Sequence, residues 1–529
     1  MIKTDICAPV GYTEGDIRLL ITERLPIKSD EIKEIRVLRE TLSLGEEIFY
    51  KLCVGISLSD ERESGLLKMK KKVSAVPDYR LEIPERSFSV RPIVVGSGPA
   101  GLFAALVLSE AGACPIVLER GLDVDARSKK INEFIFSGTL DSECNVQFGE
   151  GGAGTYSDGK LKVGSMDAAK NYILSRFVDA GAPEEILYSS SAHLGTDKLP
   201  GIIKKLREKM ISLGAEFIFG AKMTDFKISD GRIVSLEYEK EGRKTELEAE
   251  NIILATGHSA RDVFHLLERK GALMEAKGFG LGVRVEHPRE YIDNLVYGKG
   301  RTAGLGSASY HLVTHLPSGR SVYSFCMCPG GSVVAATSAC GGVVTNGMSE
   351  YGRNGENSNA AILVSVTPQD FGSDSPLAGI EYQRRIEESV YRLGEEYKAP
   401  SVRLSAFLGG EKDSGTGAVN PTYPRGTFYA PAERYLPDYV TESLRSGFSD
   451  FDRWLPGYSY GDAVLTGAET RSTSPVRVLR SKNYEALGIN GLYPAGEGAG
   501  YAGGIISSAR DGVICACGLL GKKSVYNDI

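Results

Sequence analysis

The pattern of apolar and polar positions between residues 92 and 119 predicts a compact strand–helix–strand unit. Residues 92–95 and 114–118 are short apolar runs, which are typical of strands buried on both faces of a parallel sheet. A glycine-rich turn at 96–101 and a stretch of small, helix-prone residues at 101–112 lie between the runs. The segment is therefore predicted to form a βαβ unit.

The first 85 residues show a different pattern. Residues 16–25 have the apolar spacing of an amphipathic helix, and residues 34–43 and 47–59 read as two strands around Gly45. A polar, helix-prone segment follows them. This order fits a small β-α-β-β-α-β unit of the ferredoxin-like kind, which we assign to residues 1–85.

Later apolar runs indicate that the chain returns to the first parallel sheet. Residues 251–257 and 491–495 are short buried strands, each ending in a small-residue turn. The predicted fold class is therefore α/β: a Rossmann-type domain with an inserted α+β substrate domain and the small N-terminal α+β domain. The Rossmann domain is assigned to residues 90–190, 245–275 and 485–529. The substrate or cap domain is assigned to 191–244 and 276–484.

Glycine is the one compositional excess. The 63 glycines among 529 residues make about 12% of the chain, against an ordinary usage of about 7%. They have no collagen period, and proline is not enriched. Many of them fall at 96–101, 149–159, 257 and 496–504, where they would let the backbone approach a ligand closely.

Charge and cysteine usage restrict the partners and the compartment. The formal net charge is −6, without a basic block, so a nucleic-acid partner is not expected. Nine cysteines and a charged N-terminus without an apolar leader favour a reduced, cytoplasmic protein. The two longest uncharged stretches are interrupted by glycine and proline, so no membrane span is expected. No Cys/His cluster has ligand spacing, so no metal site is predicted.

The turn at residues 96–101 reads Gly-Ser-Gly-Pro-Ala-Gly and matches the dinucleotide-binding fingerprint G-x-G-x-x-G. It follows a strand and opens a helix, which is the context that the fingerprint requires. The helix N-terminus would face a pyrophosphate. Glu119, at the end of the second strand, could accept hydrogen bonds from ribose hydroxyls and would repel a 2′-phosphate, so NADP is not expected there.

Three later segments favour FAD over NAD. Residues 149–160 contain five glycines, all within the eleven positions 149–159. Residues 255–257 read Ala-Thr-Gly, and residues 493–498 read Tyr-Pro-Ala-Gly-Glu-Gly. Together they resemble the glutathione-reductase-type FAD family. That resemblance implies that Glu497, where an aspartate is usual, holds the ribityl chain. It also implies that the helix starting near Ile505 faces the flavin pyrimidine.

A narrower resemblance covers residues of about 1 to 525. It rests on residues 257–262, 282–288, 323–331, 344–349 and 494–505. These segments are similar to the uncharacterised bacterial FAD-dependent dehydrogenase family, within the NAD(P)/FAD-dependent oxidoreductase superfamily. The resemblance implies bound FAD and a small extra N-terminal domain, and it names no substrate.

The predicted cofactor-binding residues come from these glycine loops and strand ends. They are Gly96, Ser97, Gly98, Pro99, Ala100, Gly101, Glu119, Arg120, Gly151, Gly152, Ser157, Lys160, Met223, Thr256, Gly257, Gly496, Glu497, Gly503, Gly504 and Ile505.

The catalytic candidates are Lys160, His258, Arg284 and Glu286. Lys160 could favour a reduced, anionic flavin, and His258 follows the Ala-Thr-Gly turn. Arg284 and Glu286 share one strand face, where a plain salt bridge is an equal alternative.

Cysteine chemistry is not expected. The chain has no second free dinucleotide fingerprint and no Cys-x-x-Cys. The pairs Cys326/Cys328 and Cys515/Cys517 are both Cys-x-Cys, in which a disulfide would be strained. We interpret them as small buried residues.

These features predict an FAD-dependent oxidoreductase, either a dehydrogenase or a reductase. It would transfer hydride or electrons between the flavin and a small organic substrate, with an anionic substrate as one option, and it would use an external electron donor or acceptor. Two alternatives stay open. One is a flavin-binding regulatory or assembly protein without turnover, and the other is a flavoenzyme acting on RNA.

Overall fold

A computed structural model describes residues 1–68, 72–161, 164–394, 396–409 and 417–522; the predicted Rossmann segment 485–529 therefore ends outside the described residues. The helices are α1 Glu14–Arg24, α2 Asp60–Lys68, α3 Pro99–Glu110, α4 Val124–Ser137, α5 Ala168–Asp179, α6 Gly195–Ser212, α7 Arg261–Arg269, α8 Arg289–Tyr297, α9 Ala378–Leu393, α10 Leu404–Phe407, α11 Asp438–Trp454 and α12 Ile505–Leu519.

The strands of the N-terminal and parallel-sheet regions are β1 Ile2–Pro9, β2 Glu34–Ser43, β3 Phe49–Ser57, β4 Ser74–Ala75, β5 Ile93–Val95, β6 Ile116–Glu119, β7 Glu216–Phe219, β8 Lys222–Ser229, β9 Arg232–Lys240, β10 Arg243–Glu248 and β11 Ile252–Leu254. The remaining strands are β12 Met274–Ala276, β13 Phe279–Pro288, β14 Val313–His315, β15 Ser321–Cys328, β16 Ser332–Ala335, β17 Thr345–Met348, β18 Asn357–Val366, β19 Ala399–Arg403, β20 Thr427–Tyr429, β21 Val464–Glu469, β22 Val476–Val478 and β23 Leu492–Pro494.

The N-terminal unit has the element order β1-α1-β2-β3-α2-β4. Its four strands form one antiparallel sheet in the order β2-β3-β1-β4. Thr13 and Asp16 form a capping box at the start of α1, which satisfies free N–H groups there. Ile17 and Ile21 of α1 are buried in the core between helix and sheet.

A five-stranded parallel sheet forms the centre of the molecule, in the order β23-β11-β5-β6-β7. Its short strands are apolar because helices and other strands cover both faces. Helices α3, α5, α6 and α12 contribute to the core on one side. A Cβ atom at Gly512 of α12 would lie 2.0 Å from the carbonyl oxygen of Ala100. This glycine therefore allows α12 and α3 to pack closely.

The structure differs from the predicted domain division at residues 195–219. The prediction placed residues 191–244 in the cap domain. In the structure, β7 pairs in parallel with β6 at the edge of the central sheet, and α6 packs into the same core as α3. The reason is that a four-residue strand carries no sequence mark of the sheet it joins. Strands β8, β9 and β10 form their own antiparallel sheet.

The second large layer is a seven-stranded sheet in the order β14-β15-β18-β13-β21-β19-β20. Neighbouring strands are antiparallel except for the parallel pair β19 and β20. Helix α11 packs on its β13, β14, β15 and β18 strands, and α9 packs near β19 and β21. Together the layers make a mixed α/β fold. Among the described residues, no helix combines the length and apolar character needed to cross a bilayer.

Candidate functional site

A large cavity lies where the two sheets meet. It encloses about 1470 Å³ of space including its open mouth. Val95, Glu119, Ala255 and Ala495 line it, and each ends or follows a strand of the parallel sheet. This is the edge at which ligands bind in open α/β sheets.

The glycine turn after β5 forms one end of the cavity. A Cβ atom at Gly101 would lie 1.8 Å from the carbonyl oxygen of Gly96, so only glycine allows α3 to start this close to the strand. Helix α3 begins at Pro99, and no side chain caps its first N–H groups at Gly98. These free N–H groups and the helix dipole favour an anion in the cavity.

A second glycine loop packs directly on the first. Gly152 has a φ of +64°, and a Cβ atom on it would lie 2.9 Å from the Cα atom of Gly98. The side chain of Arg127 is fully buried and donates to the carbonyl oxygens of Asn145, Glu150 and Gly152 at 2.9, 2.6 and 2.9 Å. These bonds fix the loop in place. Arg127 was not predicted from the sequence, where its only signal was a position in an amphipathic helix.

Glu119 is held by four hydrogen bonds. Its carboxylate accepts from the backbone N–H and hydroxyl of Ser97 at 2.8 Å, and from the N–H groups of Gly121 and Gly149 at 2.9 and 3.1 Å. A carboxylate has about four lone-pair sites. Glu119 therefore ties the glycine loops together, and a ribose hydroxyl would have to share its oxygens with these donors.

Helix α12 opens on the other end of the cavity. Its N-cap residue Gly504 has a φ of +118° and leaves the first N–H groups without a side-chain cap. Glu497 lines the same end, with Oε1 at 3.8 Å from Nδ1 of His258. The buried Nε2 of His258 has no hydrogen-bond partner within the described part of the chain. This end combines a carboxylate, an imidazole and a helix N-terminus.

Lys160 connects the glycine loop to the second sheet. Its Nζ atom hydrogen-bonds the carbonyl oxygen of Met327 in β15 and lies 3.9 Å from Asp158. Asp158 pairs with Arg353 at 2.6 Å. Burial raises the pKa of Asp158, but Arg353 and Lys160 outweigh burial, and the net shift is downward. The carboxylate therefore stays ionised and joins the two layers.

A buried charge network supports the wall of the cavity beside Arg471. The Arg471 guanidinium donates to Glu387 at 2.8 and 2.9 Å, and Arg261 donates to the same carboxylate at 2.9 Å. Burial acts to raise the pKa of Glu387, but the charges of Arg261 and Arg471 lower it to about 2. The carboxylate is thus held ionised between two guanidinium groups.

Two of the four catalytic candidates lie away from the cavity lining. Lys160 and His258 line it, whereas Arg284 and Glu286 are fully buried behind it. Arg284 pairs with Glu469 at 2.6 Å, and Glu286 accepts hydrogen bonds from Thr422. Burial raises the pKa of Glu286. Arg284 therefore does form a salt bridge, but it forms it with Glu469 and not with Glu286.

Most predicted cofactor-binding residues line the cavity. They are Gly96, Gly98, Pro99, Ala100, Glu119, Arg120, Gly152, Ser157, Lys160, Met223, Thr256, Gly257, Glu497, Gly504 and Ile505. Those outside the lining are Ser97, Gly101, Gly151, Gly496 and Gly503. The residues of the second group help to fix the conformation of the loops. For example, the N–H group of Gly496 donates to Asp511 at 2.7 Å.

One wall of the cavity was not predicted from the sequence. That wall comes from β15 of the second sheet, from β17 of a separate two-stranded sheet with β16, and from the loop after β21. It consists of Phe325, Cys326, Asn346, Arg471 and Ser472. These positions are far apart in the chain, and no spacing rule connects them. The described residues also contain no group of three or more His, Cys, Asp or Glu side chains placed to hold a metal ion.

The cavity fits an extended dinucleotide. It is lined by residues at two uncapped helix N-termini and by glycine loops whose close packing would be blocked by side chains. Each of these features suits pyrophosphate and a flat ring in close contact with backbone.

Comparison with known proteins identifies the family to which this chain belongs. A family described as FAD-dependent protein, C-terminal domain-like, matches residues 278–472. An uncharacterized protein of Clostridium beijerinckii is 41% identical over 511 residues, which span 94% of this chain and 95% of that protein. The chain belongs to this family of FAD-dependent proteins, and FAD is its cofactor.

Similar solved structures are distant. A 3-ketosteroid-Δ4-(5α)-dehydrogenase of Rhodococcus jostii, in complex with 4-androstene-3,17-dione, is 13% identical with a TM-score of 0.35; the match covers 84% of this chain and 98% of that one. An L-amino acid deaminase of Proteus myxofaciens, in complex with anthranilate, is 12% identical with a TM-score of 0.33; the match covers 86% and 94%.

Proposed function

We propose that this protein is an FAD-dependent oxidoreductase of the dehydrogenase or reductase type. It moves hydride or electrons between the flavin and a small organic substrate, with an external electron donor or acceptor. The observation that supports this most directly is that one cavity has a cofactor floor of glycine loops and a separate side-chain wall from the second sheet. When bound, FAD supplies two-electron chemistry, and the protein supplies binding, orientation and electrostatics.

The lining residues divide naturally among the parts of the cofactor. The N-terminus of α3 at Gly98 and Pro99 would hold the pyrophosphate, and Glu119, Arg120 and Met223 would surround the adenosine. Arg120 is fixed for this role because its guanidinium stacks 4.5 Å from the ring of Phe148 and pairs with Asp262 at 3.0 Å.

The remaining lining residues would hold the flavin end. Gly152, Ser157, Thr256, Gly257 and Glu497 would bind the ribityl chain and the ring. The uncapped N–H groups at Gly504 and Ile505 would stabilise negative charge. The Lys160 ammonium group lies where the glycine loop meets the second sheet. Its positive charge supports the proposal of an anionic substrate. His258, with its free buried Nε2, is the best placed proton carrier at that end.

We also propose roles for the N-terminal unit and for the region that contains the seven-stranded sheet. The element order and strand order of residues 1–85 support a ferredoxin-like domain. Residues 276–484 contain the seven-stranded sheet that supplies the wall, which supports a cap domain over the cofactor. The nine free cysteines support a cytoplasmic location.

The first test is the visible spectrum of the purified protein. We expect flavin absorption and release of FAD on denaturation; a colourless protein that takes up no added FAD would overturn the proposal. Anaerobic photoreduction followed by a screen of electron acceptors and organic substrates then tests turnover. A protein that binds FAD but reacts with no donor or acceptor would instead support the regulatory alternative.

A further inference from the structure

Two cysteines stand where strand β15 reaches the cavity. The pairing of β15 with β18 shifts register between Phe325 and Cys328, and Cys326 has a φ of +41°. Such a bulge changes the direction of the side chain on it. Cys326 lines the cavity and is half-buried, whereas Cys328 is fully buried. The pair is therefore asymmetric: one thiol is accessible from the cavity and the other is enclosed.

Cationic side chains hold the backbone of this pair. Arg284 donates to the carbonyl oxygen of Cys326 at 3.1 Å, and Lys160 hydrogen-bonds the carbonyl oxygen of Met327. The Cys328 Sγ atom lies 3.2 Å from the carbonyl oxygen of Cys326. These contacts fix the bulge and place two positive charges beside the accessible thiol.

The same surroundings act on the ionisation of the two thiols in opposite directions. The neighbouring Cys328 side chain lowers the pKa of Cys326, and Arg284 and Lys160 add to this effect, against burial and the opposing charge of Glu469. The same pairing of side chains and burial raise the pKa of Cys328. A thiolate is the reactive form of cysteine.

The other Cys-x-Cys pair shows that the spacing alone does not create this environment. Cys515 and Cys517 lie within α12, both are buried, and neither lines the cavity. Burial raises the pKa of Cys515 and raises that of Cys517 to about 11. This second pair matches the interpretation as small buried residues, and the first does not.

We propose that Cys326 is a nucleophilic thiol of the FAD cavity, which adds to the electron-poor β-carbon of an α,β-unsaturated carbonyl substrate held against the second-sheet wall. The S–C bond forms as the C=C π bond breaks, and the α-carbon takes up a proton from solvent, so that no group has to leave. The proposal rests on the oxidoreductase function and deepens it, since it places an electron-poor carbon of the substrate near Cys326. Cys328 acts as a positioning residue, because its thiol donates to the Cys326 carbonyl oxygen at 3.2 Å and so holds the bulge.

The test is alkylation of the intact FAD-bound protein with iodoacetamide, followed by mass spectrometry of each cysteine. In this reaction the Cys326 sulfur forms an S–C bond, iodide leaves with the electron pair of the C–I bond, and the thiol proton has gone to solvent. The exposed Cys7 is an internal comparison. We expect the half-maximal rate at Cys326 to occur at least about one pH unit below that of Cys7.

Variants separate positioning from mere packing. C328A removes the thiol donor and should move the half-maximal pH of Cys326 alkylation upward, while C328S retains a donor and should leave it near that of the native protein. C326S should abolish the modification and leave Cys7 unchanged. C517A serves as the matched control in the second pair and should leave the Cys326 profile unchanged.

Two results would overturn the proposal: the same pH profile at Cys326 and Cys7, or an unmodified Cys326 in folded protein whose Cys7 is fully modified. The visible spectrum of the same sample reports FAD content. A protein that keeps its FAD but lacks a reactive Cys326 would reject this inference alone, whereas a protein without FAD would reject the proposed function.

Discussion

The two sides of the cavity are built in different ways. On the parallel-sheet side, glycine loops and the first N–H groups of α3 and α12 contribute backbone to the lining of the cavity. On the second-sheet side, the surface consists of side chains such as Phe325, Cys326 and Arg471. Backbone N–H groups recognise features common to all dinucleotides, whereas side chains can distinguish one small molecule from another.

The glycine-loop side, which we propose holds the cofactor, depends on close approach of the backbone, whereas the wall depends on buried charge. The glycine turn tolerates no side chain at Gly101. The wall instead rests on Glu387, which is enclosed by two arginines and connects α7, α9 and Arg471.

The strongest test removes the charge at the centre of the wall. E387Q should lower the free energy of unfolding by about 3–5 kcal/mol, because it leaves two buried guanidinium groups without a counter-charge. The measurement is urea unfolding at pH 7. The matched control is E388Q on the same helix, where the ion pairs are partly exposed and the cost should be below about 1 kcal/mol. Equal effects of the two variants would contradict the role of Glu387.

The corresponding test on the cofactor side adds one methyl group to the glycine turn. A Cβ atom at Gly98 would lie 3.7 Å from the Cα atom of Gly152, which is ordinary contact, so G98A should fold normally. It should weaken FAD binding by about 1–3 kcal/mol, because the methyl group fills space that the pyrophosphate approaches. Titration of the apoprotein with FAD measures this.

The control for the glycine test is G201A, at an exposed helical position with open space around it. It should leave FAD affinity unchanged. If G98A binds FAD as tightly as G201A does, the backbone at Gly98 does not contact the cofactor.

A smaller effect is expected when acid weakens the wall. Because the pKa of Glu387 is lowered to about 2 in the folded protein, its contribution is complete above the unfolded value near 4.3 and is lost as the pH falls toward 2. Unfolding of the native protein and E387Q should therefore differ by about 1 kcal/mol less at pH 3.5 than at pH 7. A constant difference across this range would show that Glu387 does not titrate as proposed.

The smallest effect is expected on the exposed part of the wall. F325A removes a side chain that is 38% exposed and should change the free energy of unfolding by no more than about 0.5 kcal/mol. FAD affinity should stay the same, while the KM of a substrate found by screening should rise. V313A, at a similarly exposed position outside the cavity lining, should change neither value. Release of FAD by F325A would assign this wall to the cofactor.

The two sides of the cavity also differed in how far they could be predicted. The turn at 96–101 was predicted at residue level, because the fingerprint specifies a strand, a tight turn and a helix within thirty residues or so. Residues 195–219 were assigned to the wrong side of the domain division, because β7 is a short strand that could join either sheet. Arg127 was missed because a buried arginine within an amphipathic helix resembles an exposed one in sequence.

The backbone features of the glycine-loop side could be predicted from the sequence, because glycine at fixed spacing restricts the local chain in a way that needs no distant partner. The wall could not be predicted, because it forms only when the chain packs. The register shift that turns Cys326 toward the cavity, the burial of Arg284 against Glu469, and the meeting of Arg261, Glu387 and Arg471 each depend on segments far apart in the chain. Burial and long-range charge pairing arise from packing, and a single sequence does not encode them locally.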